Sequence, residues 1–456
     1  MHVSVPDNVL WRCLSGLCIL TLRKPAGYYL LEDTAAEIWQ AIAKGQQPDD
    51  IVASLCGRYD ASPDTVRRDV NDLTEALGEQ GLLAVQPECS KGSVEGAGHA
   101  RQSGAILERE SAEIMGIMTK MLVPLQGFLE LTRRCNEKCV HCYLQDDPGD
   151  IGEGDELTLQ RLKTLIAEMA SAGCMELSIS GGEPGIRADF DQVVYTAASH
   201  GIKVNLYTNG TAFSKQQVRD MAPLLSEVKV SLYGSDWRSH EAVTGVPGSF
   251  AATMRFLEWA KEASLEATIQ FIAMRDNCSE LEAVFRLANA VGFRWHVGAV
   301  IEPTLRGSLL PLKVRMSDAQ ALKFCQDAKR GAYGPEMAAG CRPDDKQETT
   351  LAIPCAAGFR MFSIRPDGVV YPCVRLPQEV GNVLTDSFET TWSKSPKMLD
   401  YRRQIRQGIP RWECPRCQLW RQCPLYCPGA ALIETGDLWK APASRCWLAG
   451  ILKETW

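Results

Sequence analysis

Cys135-Asn136-Glu137-Lys138-Cys139-Val140-His141-Cys142-Tyr143 gathers three thiols and an adjoining aromatic ring into one short segment. Just before it, Phe128–Leu131 reads as a strand. Three thiolates in a single loop can hold three irons of a four-iron cluster. The fourth iron is then left without a protein ligand, open to a substrate or cofactor. One zinc ion would want a fourth donor, and the only other candidate in the loop is His141, at a spacer position.

Working outward, strands alternate with helices. Strand-like stretches recur at 175–179, 204–207, 228–232, 267–273 and 294–301, with helix-like stretches at 158–172 and 189–200. Such alternation implies a parallel sheet with outer helices, and parallel α/β sheets place ligands beyond the carboxyl ends of their strands. Three further motifs stand at those ends. Gly181-Gly182-Glu183-Pro184 follows the second strand, Thr208-Asn209-Gly210 the third, and Ser231-Leu232-Tyr233-Gly234 closes the fourth. Small residues let a backbone approach a ligand closely.

The loop spacing and the ordered strand-end motifs resemble the radical S-adenosylmethionine (SAM) superfamily. The resemblance implies an α/β fold with a partial (β/α)6 barrel and a [4Fe-4S] cluster on Cys135, Cys139 and Cys142. It also implies that SAM chelates the open iron and is cleaved to a 5′-deoxyadenosyl radical. Gly181, Gly182, Glu183 and Pro184 are implied near the SAM ammonium, Ser231 at the ribose, Tyr143 beside the adenine, and Thr208 and Asn209 as further cofactor-binding positions. His240, Thr244-Gly245 and Gly248-Ser249-Phe250 look like the loop after the fourth strand in peptide-modifying members.

Toward the C-terminus periodicity weakens while Cys, Pro, Gly and Trp rise. Phe362 to Tyr371 reads as a hairpin turning at Pro366-Asp367-Gly368. Cys355, Cys373, Cys414, Cys417, Cys423, Cys427 and Cys446, with Gly381-Asn382-Val383 between the halves, resemble the seven-cysteine SPASM pattern. The resemblance implies two auxiliary iron–sulfur clusters, one on Cys414, Cys417, Cys423 and Cys446, the other on Cys355, Cys373 and Cys427. Cys341 could complete the second, or its site could stay open for a substrate thiolate. Two zinc ribbons are the alternative.

At the N-terminus, strands at 10–14, 17–22 and 27–31 precede three helices, the third opened by Ser62-Pro63. A closing strand at 82–85 completes a winged-helix layout. This unit resembles the leader-peptide recognition element related to the pyrroloquinoline-quinone peptide chaperone, in which a leader adds as a strand beside the third helix. A DNA-binding role fits poorly, because the third helix carries Asp64, Asp69, Asp72, Glu75 and Glu79 against Arg67 and Arg68. The expected boundaries are 1–87 for recognition, 88–122 for a linker, 123–335 for the barrel and 336–456 for the C-terminal Cys-rich SPASM domain. The linker's 88–105 stretch is rich in Gly, Ser and Ala.

Composition narrows the classes. The 456 residues carry a net charge of −7, 45% hydrophobic and 23% charged residues, and 18 cysteines. This suits a globular protein rather than a nucleic-acid binder. No apolar run reaches the ~18 residues of a membrane helix, and no secretory signal is visible. A cytoplasmic setting is expected, with cysteines as metal ligands rather than disulfides. The remaining scattered cysteines are expected to be buried apolar residues.

The domain order looks like that of the subtilosin-type thioether maturases. The expected function is a radical SAM maturase of a ribosomally made precursor peptide, its leader held by residues 1–87. It would install a thioether or another crosslink, with electrons supplied by a donor such as flavodoxin or ferredoxin. A radical enzyme acting on a folded protein or a small molecule in cofactor biosynthesis is the second expectation. An iron–sulfur DNA-binding regulator is the third.

Overall fold

A computed structural model describes residues 2–14, 16–23, 27–86, 111–144, 151–333, 355–408, 412–419, 423 and 426–454. They fall into two units, Met1–Met121 and Leu122–Trp456.

The first unit runs β1 (His2–Ser4), β2 (Val9–Leu14), β3 (Leu17–Leu22), β4 (Tyr28–Glu32), α1 (Asp33–Ala43), α2 (Pro48–Cys56), α3 (Pro63–Glu79), β5 (Ala84–Gln86) and α4 (Ser111–Met121). β2, β3 and β4 form an antiparallel sheet in that order, and β1 pairs with β5. Three residues are too few to show alternation, so β1 had no signature in the sequence. Ser62 caps α3 by accepting the Thr65 N–H at 3.2 Å, with Pro63 at the first helical position. That proline gives up only an N–H that a helix start leaves unpaired anyway.

Alternation decides which residues meet the helices. Val9, Cys18, Leu20 and Leu31 pack with Ile38, Trp39, Ile51, Leu55, Val70, Leu73 and Leu77. Leu10, Ile19 and Leu30 point the other way, yet they too are buried. α4 packs against β4, and its Ile114 and Met118 are fully buried outside that first core. The stretch 88–122, read as a linker, thus ends in a helix whose sequence signal is the Ile114–Met118 pair at i, i+4. Its Gly- and Ser-rich part lies outside the described residues.

Cys13 and Cys18 face each other across the β2–β3 hairpin and are joined as a disulfide. This corrects the expectation of isolated apolar cysteines. Directly opposed strand positions bring side chains within bonding reach. Cys174 and Cys325 are buried as expected, while Cys56 and Cys278 are half-buried. Cys89 and Cys341 lie outside the described residues.

The second unit begins with six strands: β6 (Gln126–Thr132), β7 (Glu176–Gly181), β8 (Lys203–Thr208), β9 (Leu225–Ser231), β10 (Ala267–Ile272) and β11 (Arg294–Gly298). Each runs parallel to the next. Between them lie α5 (Leu159–Ser171), α6 (Phe190–Ser199), α7 (Lys215–Met221), α8 (Trp237–Thr244), α9 (Ser249–Glu262) and α10 (Leu281–Val291); α11 (Asp318–Lys329) follows. Leu129, Leu177, Ile179, Val204, Leu206, Val228, Val230, Ile269 and Phe271 are buried under these helices. Each such side chain contributes roughly 1.5–3 kcal/mol. The alternate residues Phe128, Ser178, Ser180, Tyr207, Lys229, Ser231 and Gln270 are only half-buried. One sheet face is therefore a packed core, while the other is less completely filled, with Glu130, Asn205 and Thr268 buried beside those half-buried positions, unlike the filled interior of a closed barrel.

The sheet does not stop at β6. The expected hairpin forms β12 (Met361–Ile364) and β13 (Val369–Tyr371), and β14 (Gly381–Asn382) follows. β12 pairs parallel to β6, so the sheet reads β11-β10-β9-β8-β7-β6-β12-β13-β14. α12 (Phe388–Ser393), α13 (Pro396–Gly408), α14 (Pro428–Thr435) and α15 (Ala443–Lys453) complete the chain. Among the described residues no helix is long and apolar enough to cross a membrane.

Candidate functional site

The three-cysteine loop leaves β6 and is pinned by backbone bonds to the end of α8. Lys138 N–H donates to the Thr244 carbonyl at 2.8 Å, and Val140 N–H to that of Val243 at 3.0 Å. The motif around His240 serves this abutment. Gly245 ends α8 at φ 68°, and Thr244 Oγ1 meets Ser249 Oγ at 2.8 Å. His240 is buried, and its Nδ1 accepts the Tyr233 N–H at 3.2 Å. Its ring stacks on Tyr233 at 5.8 Å, while His141 meets the same ring edge-on at 4.8 Å. Burial lowers both histidines to about 4, so both are neutral near pH 7.

Gly181 and Gly182 answer first to their own chain. A Cβ on Gly181 would run into the Thr132 carbonyl, and one on Gly182 into that of Arg134. Gly182 N–H donates to Thr132 O at 2.8 Å and Glu183 N–H to Arg134 O at 2.9 Å. The glycines thus let the second strand end close against the segment that delivers Cys135. Glu183 is buried; its carboxylate accepts from Thr208 Oγ1 (2.7 Å), Asn209 N–H (2.8 Å) and Gly185 N–H (3.0 Å). Burial raises its pKa, against the effect of those three bonds. Asn209 Nδ2 then donates to Asn136 Oδ1 at 2.8 Å. Pro184 is buried at the start of a short 3-10 turn. Ser231 lies half-buried at the end of β9, hydrogen-bonded with the Tyr233 side chain. The nominated residues at 181–184 and 208–209 and the cysteine loop therefore form one network beyond the strand ends.

The thiols act on one another. Burial pushes Cys135 up to about 11, with Glu183, Glu137 and Cys142 adding to it. Burial also raises Cys139, helped by Glu137, Cys142 and Cys135, and raises Cys142, where Arg133 and Arg375 pull the other way. Glu137, beside Cys139, is pushed by burial to about 7. Thiols that oppose each other's ionisation are the donor set a cationic metal group would stabilise, since thiolate is the ligating form. In that sense the residues fit an iron–sulfur group.

The C-terminal cysteines sort into two sets by the same criterion. Burial pushes Cys373 to about 12, with Cys355 and Cys427 reinforcing it. Cys355 is raised by burial and then by Cys427. Burial pushes Cys414 to about 11, with Cys446, Cys423 and Cys417 adding. Gly429 explains how Cys427 reaches Cys373: any Cβ there would strike the Arg375 carbonyl. Among the described residues no three His, Cys, Asp or Glu side chains converge tightly enough to ligate a single ion. Ligands of a four-iron cube sit on separate corners, farther apart than those of one tetrahedral zinc.

Three functional candidates carried no sequence motif: Glu302, Arg375 and Arg445. Tyr143 is one link to them. The Arg375 guanidinium lies 4.9 Å over its ring. The only available signal was position, since Arg375 follows Cys373 by two residues and Arg445 immediately precedes Cys446.

Three families match the chain: the Radical SAM superfamily over residues 129–288, coenzyme PQQ synthesis protein D (PqqD) over 20–83, and the SPASM iron–sulfur cluster-binding domain over 355–424. An AdoMet-dependent heme synthase of Nitratidesulfovibrio vulgaris is 27% identical over 336 residues, covering 68% of this chain and 88% of that protein. The antilisterial bacteriocin subtilosin biosynthesis protein AlbA of Bacillus subtilis is 22% identical over 370 residues, covering 80% and 77%. In fold, the chain is similar to Streptococcus suis SuiB bound to precursor peptide SuiA, with TM-score 0.64, 15% identity, and 98% and 100% of the chains covered.

The chain is a radical SAM enzyme. It joins a PqqD-type domain to a SPASM domain, the domain set of the radical SAM maturases of ribosomally made peptides, and these domains imply SAM and iron–sulfur clusters as cofactors.

Proposed function

We propose that the protein modifies a ribosomally synthesised precursor peptide, whose leader docks on the first unit and whose core is attacked at the open face of the parallel sheet. The observation that carries this reading is the edge of β4. Among the described residues β4 pairs with β3 alone, and Tyr29 Oη donates to Gln80 Oε1, just past α3, at 3.3 Å. An extended peptide can add there through main-chain hydrogen bonds, with the third helix alongside.

Cys135, Cys139 and Cys142 would hold the four-iron cluster, and Cys355, Cys373, Cys427 and Cys414, Cys417, Cys423, Cys446 two auxiliary clusters. When bound, the cluster and SAM supply a 5′-deoxyadenosyl radical that abstracts a substrate hydrogen. Tyr143, Gly181, Gly182, Glu183, Pro184, Thr208, Asn209 and Ser231 would shape the SAM pocket. Glu183 and Asn209 do so indirectly, because their polar atoms are engaged within the chain. A thioether is the product we favour. Electrons would come from a flavodoxin- or ferredoxin-like donor, and a reducing cytoplasm suits the many thiols.

The test is co-expression with the small peptide encoded beside the gene, followed by mass spectrometry. A loss of two hydrogens mapped to a cysteine-containing link supports the reading. An unmodified peptide that also fails to bind the full chain overturns it. The similarity to AdoMet-dependent heme synthase favours one second reading, a tetrapyrrole-like small molecule as substrate. SAM cleavage stimulated by an iron porphyrin and not by peptide would select it.

A further inference from the structure

One buried carboxylate ties together segments from all three cysteine groups. Glu302 follows β11, and its side chain is 7% exposed. Its Oε1 accepts from Arg445 Nε at 2.7 Å and Nη2 at 2.6 Å, and its Oε2 pairs with Arg375 Nη2. Arg445 adjoins Cys446. Arg375 presents its guanidinium to Tyr143, next to Cys142, and its backbone N–H to Cys373. Two guanidinium groups on one carboxylate leave a net positive charge in the interior. The nearby Arg133–Glu130 pair, at 2.8 Å, is internally neutral and does not offset it.

Arg375 also keeps an unspent donor. Its Nε is buried and has no hydrogen-bond partner among the described residues. Cys142 and Cys427 act electrostatically on the guanidinium, opposing the larger lowering of its pKa by burial. Net charge and N–H donors to sulfur are two of the levers that set iron–sulfur reduction potentials. A charge acts more strongly in a low-dielectric interior than in water.

We propose that Arg375, clamped by Glu302, is a positioning residue that raises the reduction potentials of the clusters held at Cys135, Cys139 and Cys142 and at Cys355, Cys373 and Cys427. This rests on the reading of those thiols as cluster ligands. Arg375 is linked to one set through Tyr143 and to the other through its backbone N–H to Cys373, and its charge makes an added electron more favourable in both. Glu302 holds it there and partly cancels its charge.

The experiment is an EPR-monitored redox titration of the anaerobic, reconstituted full chain, with iron and sulfide assayed in every variant. Arg375→Met removes the cation and shifts both potentials downward. Arg375→Lys retains the charge and stays nearer the wild type. Glu302→Gln removes the anion and shifts both upward. The opposite signs matter, because a purely structural ion pair would move both variants the same way. Should Arg375→Met fail to load, Glu302→Gln must still raise the potentials. Unchanged potentials at full cluster content, shifts of one sign, or loss of clusters in both variants overturn the proposal. A wild-type protein that takes up no iron at these thiols sinks the ligand reading itself, and this proposal with it.

Discussion

The loop of Cys135, Cys139 and Cys142 and the group of Cys414, Cys417, Cys423 and Cys446 are held in opposite ways. The first is fastened by the chain. Backbone bonds from Lys138 and Val140 reach α8, Gly181 and Gly182 press against its approach, and Asn136 joins Asn209 and Glu183. Among the described residues the second group is spread over separate elements, with Cys446 on α15. A short 3-10 turn carries Cys414, and Cys417 and Cys446 are exposed. The difference teaches where the ordering energy comes from. The first site is preorganised by the polypeptide, whereas the other, on our proposal, would draw its order from the cluster it holds.

The comparison can be broken at its strongest point first. Cys139→Ala should abolish SAM cleavage to 5′-deoxyadenosine while far-UV circular dichroism stays as in the parent. A variant that unfolds, or that still cleaves SAM, removes the distinction. Next, chelation of iron from the holoprotein should strip hydrogen-exchange protection from residues 412–454 and leave β6 to β9 protected. Equal loss in both regions would mean that metal orders both.

Smaller effects sharpen the account. Gly182→Ala drives a methyl into the Arg134 carbonyl and should cost about 1–3 kcal/mol. Glu183→Gln keeps the shape but weakens the acceptors for Thr208 and Asn209, at about 1–3 kcal/mol. Both should reduce SAM affinity in equilibrium binding; unchanged affinity for both would detach this network from the cofactor. The smallest effect concerns pH. Burial takes His240 from its ordinary 6.5 to about 4, so between those values the unfolded chain binds more protons at this site. Its contribution to stability is therefore complete above pH 6.5 and declines as pH falls toward 4. Denaturant unfolding of His240→Gln should lose less stability over that window than the parent.

Much of this was legible before the structure. Strand-like stretches alternating with helices marked all six parallel strands, and residues such as Leu177, Ile179, Val228 and Val230 meet the helices. The division of the C-terminal cysteines into two ligand sets followed from resemblance to the SPASM pattern and remains part of the proposal. Other features left little sequence signal. The parallel pairing of β12 with β6 joins residues more than two hundred positions apart, and periodicity does not encode a partner. The α4 helix hides behind a Gly- and Ser-rich stretch. Glu302, Arg375 and Arg445 are single charged residues whose meaning arises only when three segments meet. Glycines at 181 and 182 suggested a close approach to a ligand, and the nearest neighbour proved to be the chain itself.

The central claim is that the loop at 135–142 presents an iron with no protein ligand, and EPR of the reduced, iron-replete protein before and after adding SAM tests it most directly. The account predicts that SAM alters the signal, and that the alteration persists when Cys414 and Cys417 are replaced but disappears in Cys139→Ala. A signal from the loaded first cluster that stays the same on addition of saturating SAM would contradict it.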